Sequence, residues 1–191
     1  MIVQVLDDFL ESELFDEINE LSVACYDLSF WKSKDNWQDT LNTGTNDVLM
    51  YTIYNSKTEL KVYEDITSPI NEKFEKEFNL NLSSLDFYYW KKGSLINFHP
   101  DFTYVASATL YLNEFWHQDW GGIFLWDEAE DVNPLHGPED YSSDVNINRY
   151  RGALPLKNRC VINSGRVQHA VTPTQNHPDN IVRRTLQMRF R

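Results

Sequence analysis

Ile181-Val182-Arg183-Arg184-Thr185-Leu186-Gln187-Met188-Arg189-Phe190 reads as a strand with two unlike faces. Successive side chains of a strand point to opposite sides of its sheet. Val182, Leu186, Met188 and Phe190 fall on one side, with Arg184 as the exception. Arg183, Thr185, Gln187 and Arg189 fall on the other. A polar face in a small barrel lines a wet cavity rather than the core. A guanidinium at that depth can take a carboxylate by two parallel hydrogen bonds. On an edge strand the same arginine makes only a surface salt bridge.

Upstream of this segment the chain has the texture of a β protein from about residue 81. Leu85–Trp90, Ser94–His99, Tyr104–Leu112, Gly121–Trp126, Ala153–Leu156, Arg159–Asn163 and Gln168–Thr172 are short apolar or aromatic runs separated by turns. With the last strand they make eight, at a spacing that predicts a sandwich or open barrel. The first eighty residues read differently. Ile2–Leu6 is a strand, and Asp7 or Asp8 is placed to cap a helix running to about Cys25. Val48–Tyr54 has strand composition, and a second helix is predicted over 58–78, broken or kinked at Pro69. Each helix has one apolar face suited to covering a sheet. Residues 27–57 are polar and turn-rich, and residues 127–150 are an acidic loop. Loops of that length in a compact domain are usually functional or mobile.

The chain has 191 residues, 41% hydrophobic and 14% aromatic, which suits one well-packed domain and excludes a disordered chain. A net charge of −12 makes it a poor general binder of nucleic acid or anionic membranes, so neither is an expected partner. Cys25 and Cys160 form neither a CxxC pair nor a disulfide framework. The N-terminus lacks a basic region before an apolar run, and no stretch approaches the roughly 18 apolar residues of a membrane span. A cytoplasmic location is the expectation.

His99-Pro100-Asp101 puts two ligand types two residues apart at a strand end, where side chains of extended backbone face the same way. His169, 70 residues later in a strand of its own, can supply a third. Two imidazoles and a carboxylate on one face of an octahedral ion leave three positions open, the arrangement of non-haem Fe(II) oxygenases. His117, His136 and His177 lie in loop-like stretches and read as solvated, and Asp127, Glu128, Glu130 and Asp131 as a solvated acidic run.

Taken together, these blocks resemble the 2-oxoglutarate and Fe(II)-dependent dioxygenases, in their prolyl 4-hydroxylase-like branch. Val5–Leu10 leading into a helix, His99-Pro100-Asp101, Thr109–Asn113 followed by Trp116 and Gly121–Leu125, Asn158–Asn163, His169–Pro173 and Arg183-Arg184-Thr185 occur in the order of that branch and span essentially the whole chain. The resemblance implies a mainly β fold with flanking helices. That fold is a double-stranded β-helix (jelly-roll, cupin-like) with the N-terminal helices packed on the major sheet. It implies one domain over 1–191, with residues 1–80 as helical support and 81–191 as the β core, carrying the 127–150 loop insertion.

It also implies chemistry. His99, Asp101 and His169 would bind Fe(II), and Arg183 would pair with the distal carboxylate of 2-oxoglutarate. The Tyr111 hydroxyl would reach the same carboxylate. Tyr89 holds the position of a co-substrate tyrosine. Arg184 is the competitor of Arg183, which is preferred because it shares its face with Thr185. Dioxygen and 2-oxoglutarate would be consumed, with succinate and carbon dioxide as products, and ascorbate as an accessory reductant. The substrate would be a prolyl or other peptidyl residue, or a small molecule, meeting the metal between residues 27–57 and 127–150. The acidity of the second segment points to a basic or polar peptide. Two other readings stay open: a non-catalytic β-barrel ligand-binding module, and a cupin-type metal enzyme that does not use 2-oxoglutarate.

Overall fold

The computed structural model of the chain describes residues 3–29, 32–33, 48–57, 60–61, 63–128 and 150–191. The elements in order are β1 (Val3–Leu6), α1 (Ser12–Asp27), β2 (Lys32–Ser33), β3 (Val48–Asn55), β4 (Leu60–Lys61), α2 (Glu64–Phe78), β5 (Leu82–Trp90), β6 (Ile96–His99), β7 (Ala106–Tyr111), β8 (Phe124–Asp127), β9 (Tyr150–Ala153), β10 (Cys160–Ser164), β11 (His169–Val171) and β12 (Arg183–Phe190), with a short 3-10 turn at Gln118–Trp120 before β8. The larger sheet has the order β1-β10-β7-β12-β5-β3-β2, with β4 also on β3. The smaller has the order β6-β11-β8-β9. Every pairing is antiparallel. This is the expected mainly β jelly-roll with helices against the major sheet.

The alternation of β12 organises the molecule. It pairs with β5 and β7 through registers that place Leu186 opposite Phe87 and Leu110, and Met188 opposite Leu85 and Ala108. That face meets the helices. Phe15 and Ile18 of α1 and Ile66, Ile70 and Phe74 of α2 join these strand residues in the main core. Phe74 packs on Phe190 with ring centroids 4.5 Å apart. Burying each such side chain contributes roughly 1.5–3 kcal/mol. On the other face of the same sheet, Val48, Tyr88, Trp90, Tyr111 and Val161 pack with Ile96, Phe124, Ala153 and Val171 of the smaller sheet. The space between the sheets is thus packed along one part and open along the rest.

Four local expectations are corrected. Neither Asp7 nor Asp8 caps α1. The helix begins at Ser12, its N-cap position is Glu11, and no side chain caps it. Asp7 instead holds Arg159 through Nε and Nη2 at 2.5 and 2.9 Å, while Asp8 turns the chain at φ +48°. The second helix starts at Glu64 and runs unbroken through Pro69, with Leu60 and Lys61 paired to β3 instead. Pro69 lies in the second turn, and the donor it lacks would serve the carbonyl of Asp65, an exposed residue that water can reach. His177 and Asp127 are buried rather than solvated, the His177 ring lying 5.4 Å from Trp116 and 6.2 Å from Trp120. His117 is exposed, and His136 lies outside the described residues, as do most of residues 27–57 and 127–150.

Candidate active site

His99 is the last residue of β6, and β11 pairs with it so that His169 stands directly opposite. Cross-strand partners bring imidazoles 70 residues apart in sequence to a ring separation of 4.4 Å. Asp101 lies just past the strand end, beyond Pro100. One donor atom from each of the three residues lies within 4.8 Å of the others. Nε2 of His99 is 3.9 Å from one Asp101 oxygen, and Nε2 of His169 is 3.8 Å from the other.

Each of the three side chains is oriented from behind. Nδ1 of His99 faces the Asn97 carbonyl at 2.8 Å, and Nδ1 of His169 faces that of Val167 at 2.9 Å. A carbonyl can only accept, so both Nδ1 atoms carry the proton and both Nε2 lone pairs point inward. Phe124 stacks on His169 at 5.2 Å and 14°. Ser107 Oγ donates to Asp101 Oδ2 at 2.6 Å and lies 3.2 Å from Asn163 Oδ1, with Ser107 and Asn163 fully buried. Burial, and then the neighbouring His99, push the His169 imidazole down to about 4, which keeps it neutral. Burial raises the Asp101 carboxyl, but His169, the Ser107 hydrogen bond and His99 outweigh it and hold the group below its usual value.

The triad lines a cavity of about 650 Å³ between the sheets, within the range of small-molecule sites. Arg183 lines it too, and its side chain is fully buried. The guanidinium carbon sits 4.7 Å from the Trp90 ring and 5.1 Å from the Tyr111 ring. Among the described residues none of its three nitrogens meets a well-aligned hydrogen-bond acceptor, and the buried Tyr111 hydroxyl likewise has no well-aligned partner. Burial lowers the arginine and raises the phenol, and each partly offsets the shift of the other. Leaving such donors unpaired costs several kcal/mol. Together they can receive an anion.

Three features position Arg183. Asn113, just beyond β7, accepts from Arg184 N at 2.7 Å and donates to the Val182 carbonyl at 2.9 Å, gripping the backbone on both sides. Trp90 is held flat by its indole N–H donating to Thr185 Oγ1 at 3.1 Å. Gly122, at φ +67°, leaves the space through which the side chain passes. A Cβ there would lie 2.7 Å from Arg183 Cδ.

The structure brings His99, Asp101, His169, Arg183 and Tyr111 together, and it takes Arg184 and Tyr89 elsewhere. Arg184 donates through Nη1 to Asn19 Oδ1 at 2.7 Å on the helix side. Tyr89 pairs in register with Arg184, so it shares that side, and its hydroxyl donates to the Ser22 carbonyl at 2.9 Å. Its neighbour Tyr88 faces the cavity instead. The run Phe87-Tyr88-Tyr89-Trp90 is buried on both faces, so it has no polar alternation from which the cavity side can be read. Ser107 and Asn113 also escape the sequence. Short polar residues in strands carry no distinguishing signal, though Asn113 lies within the Thr109–Asn113 block.

No family model matches the chain, and no curated protein matches it. Solved structures do. A prolyl-4-hydroxylase from Pseudomonas putida superposes with a TM-score of 0.67 at 19% identity, over 99% of this chain and 91% of its own. A prolyl hydroxylase from Trichoplax adhaerens, solved with a peptide fragment of the hypoxia inducible factor oxygen degradation domain, gives 0.68 at 13%, over 98% and 82%. A 2OG-Fe(II) oxygenase family oxidoreductase from Burkholderia pseudomallei gives 0.63 at 14%, over 98% and 84%. The chain has the 2-oxoglutarate oxygenase fold. At these identities the likeness establishes architecture, and the chemistry has to be argued from the site.

Proposed function

We propose that the protein is a 2-oxoglutarate- and Fe(II)-dependent oxygenase that hydroxylates its substrate, and that residues 1–191 form one such domain. One observation carries the reading. A two-histidine, one-carboxylate cluster and a buried arginine whose nitrogens have no well-aligned acceptor among the described residues line the same cavity. The donor set suits a divalent ion such as Fe(II), and the arginine suits the far carboxylate of a dicarboxylate co-substrate. A metal enzyme without 2-oxoglutarate has no use for that arginine, and a non-catalytic module has no use for a facial triad with open positions.

His99 and His169 would hold the metal through Nε2, with Asn97 and Val167 fixing their tautomers. Asp101 would complete the face while Ser107 restrains its second oxygen. Arg183 and the Tyr111 hydroxyl would anchor 2-oxoglutarate and set its reach towards the triad. When bound, metal and co-substrate activate dioxygen, placing one oxygen atom on the substrate and the other in succinate as carbon dioxide leaves. The packed aromatic residues Phe124 and Trp90 keep bulk water from that region. Ascorbate as a reductant is supported by the resemblance alone. Two buried free thiols suit a reducing compartment such as the cytoplasm, and no described helix is long and apolar enough to cross a membrane.

The test is anaerobic. Fe(II)-loaded protein should develop a weak visible absorption band when 2-oxoglutarate is added. His99→Ala should abolish the band, and Arg183→Gln should demand at least about tenfold more 2-oxoglutarate. A wild-type protein that binds iron but shows no band would refute the reading.

A further inference from the structure

We infer that the substrate is a small molecule bearing a free carboxylate, and that Arg189, at the far end of the same strand face as Arg183, receives it. This rests on the oxygenase reading above. Arg183, Thr185, Gln187 and Arg189 share one face of β12, and the α-carbons of Arg183 and Arg189 stand about 20 Å apart at the ordinary strand rise. The two arginines therefore serve different parts of the cavity. Arg189 is also the cross-strand partner of Ser107, the residue that holds Asp101, which puts it on the metal side.

Arg189 is built in rather than dangling. Its Nη1 donates to Asp86 Oδ2 at 2.7 Å and its Nη2 to the Tyr88 hydroxyl at 2.5 Å. The rings of Tyr88 and Tyr104 brace the guanidinium at 5.7 and 5.6 Å. Asp86 is itself held by neighbours, accepting from Thr52 Oγ1 at 2.5 Å and Ser84 Oγ at 3.3 Å as well. It locks Arg189 in place without using up its five N–H donors. The side chain remains 14% exposed, and it lines the cavity. Beside it Gln187 accepts from Thr109 through Oε1 at 2.8 Å, which leaves its amide N–H₂ as a further donor on the same face.

The cavity's charge favours the same conclusion. Among the described residues it is lined by Lys57, Arg183, Arg189 and Arg191 against the carboxylates of Asp86 and Asp101. A ferrous ion and a 2-oxoglutarate dianion cancel, so the described wall keeps its cationic excess when the cavity is loaded, inside a chain of net charge −12. Such a field gathers anions and repels basic ligands. The basic peptide suggested by the acidity of residues 127–150 is therefore disfavoured by the described wall.

The experiment offers free amino acids and small aliphatic acids to the Fe(II)- and 2-oxoglutarate-loaded protein. Each acid is tested beside its primary amide and beside end-blocked peptides, and succinate release is measured. One or more free acids should stimulate release, and the matching amide should be at least about a hundredfold poorer in kcat/KM. Arg189→Gln should raise the KM of the acid by about a hundredfold and that of the amide by less than about threefold, a charge-specific split that mere structural damage would not produce. Should that variant fold poorly because Asp86 is left alone, Arg189→Gln combined with Asp86→Asn should show the same split. Stimulation by amides or blocked peptides as good as by acids, or by no acid at all, overturns the inference. So does an Arg189→Gln protein whose KM rises more for 2-oxoglutarate than for the acid. Failure of the iron-loaded protein to bind 2-oxoglutarate would instead sink the oxygenase reading, and this inference with it.

Discussion

Gly122 has a left-handed backbone and no room for a methyl group against Arg183. Gly122→Ala should therefore act twice. The positive φ costs about 1–2 kcal/mol of stability, and the displaced guanidinium should raise the KM for 2-oxoglutarate about tenfold or more. Thermal unfolding and co-substrate titration separate the two effects. Ser107 is the corresponding support for Asp101, the proposed carboxylate ligand. Ser107→Ala leaves Asp101 free to rotate and should weaken Fe(II) binding by about 10–100-fold, the usual loss when a ligand's outer partner is removed. Direct metal titration checks this, with the fold monitored by circular dichroism.

At the scale of elements, the alternation along β12 separates two arginines that are adjacent in sequence. Arg184 is tied to Asn19 of α1 and belongs to helix packing. Arg184→Met should lower the melting temperature while changing the KM for 2-oxoglutarate less than about twofold, whereas Arg183→Met should do the reverse. A second joint lies between the first strand and first helix. Asn158, at φ +54°, accepts from Leu10 N at 3.0 Å and donates to the Leu10 carbonyl at 2.7 Å, pinning the β1–α1 turn to the approach to β10. Asn158→Ala removes both bonds and leaves a residue less suited to that backbone, so it should cost about 2–4 kcal/mol in chemical denaturation.

For the whole molecule, a metal held by the proposed triad would link two strands of the smaller sheet to the loop after β6. Fe(II), or Zn(II) in its place, at about a hundred times Kd should add about 2.7 kcal/mol and raise the melting temperature by about 5–10 °C. The gain should vanish in His99→Ala. At high pH the cavity wall becomes the weak point. Burial pushes the Tyr88 phenol up to about 12, with Arg189 opposing that shift. The folded state holds its proton more tightly than the unfolded chain does, so stability is intact below pH 10 and falls as pH rises towards 12. The loss attributable to this group is about 3 kcal/mol. Alkaline unfolding curves of wild type and Tyr88→Phe should differ by about that amount.

Reading the chain by itself was enough to recognise the eight-strand pattern, the covering helices, the three metal-ligand candidates and the cavity side of the last strand. Each of these rests on local periodicity or on a contiguous motif, and periodicity survives in sequence because one face is wet and the other dry. Tertiary structure alone decided what lies behind and across from those residues. The register of β5 against β12 sends Tyr89 to the helices and Tyr88 to the cavity, in a strand buried on both faces where the sequence has no alternation to follow. The pairing of β11 with β6 sets the histidines opposite one another, and the pairing of β7 with β12 brings Ser107 beside Arg189. Contacts between strands far apart in the chain depend on register, and register is a property of the assembled sheet rather than of any one of its strands.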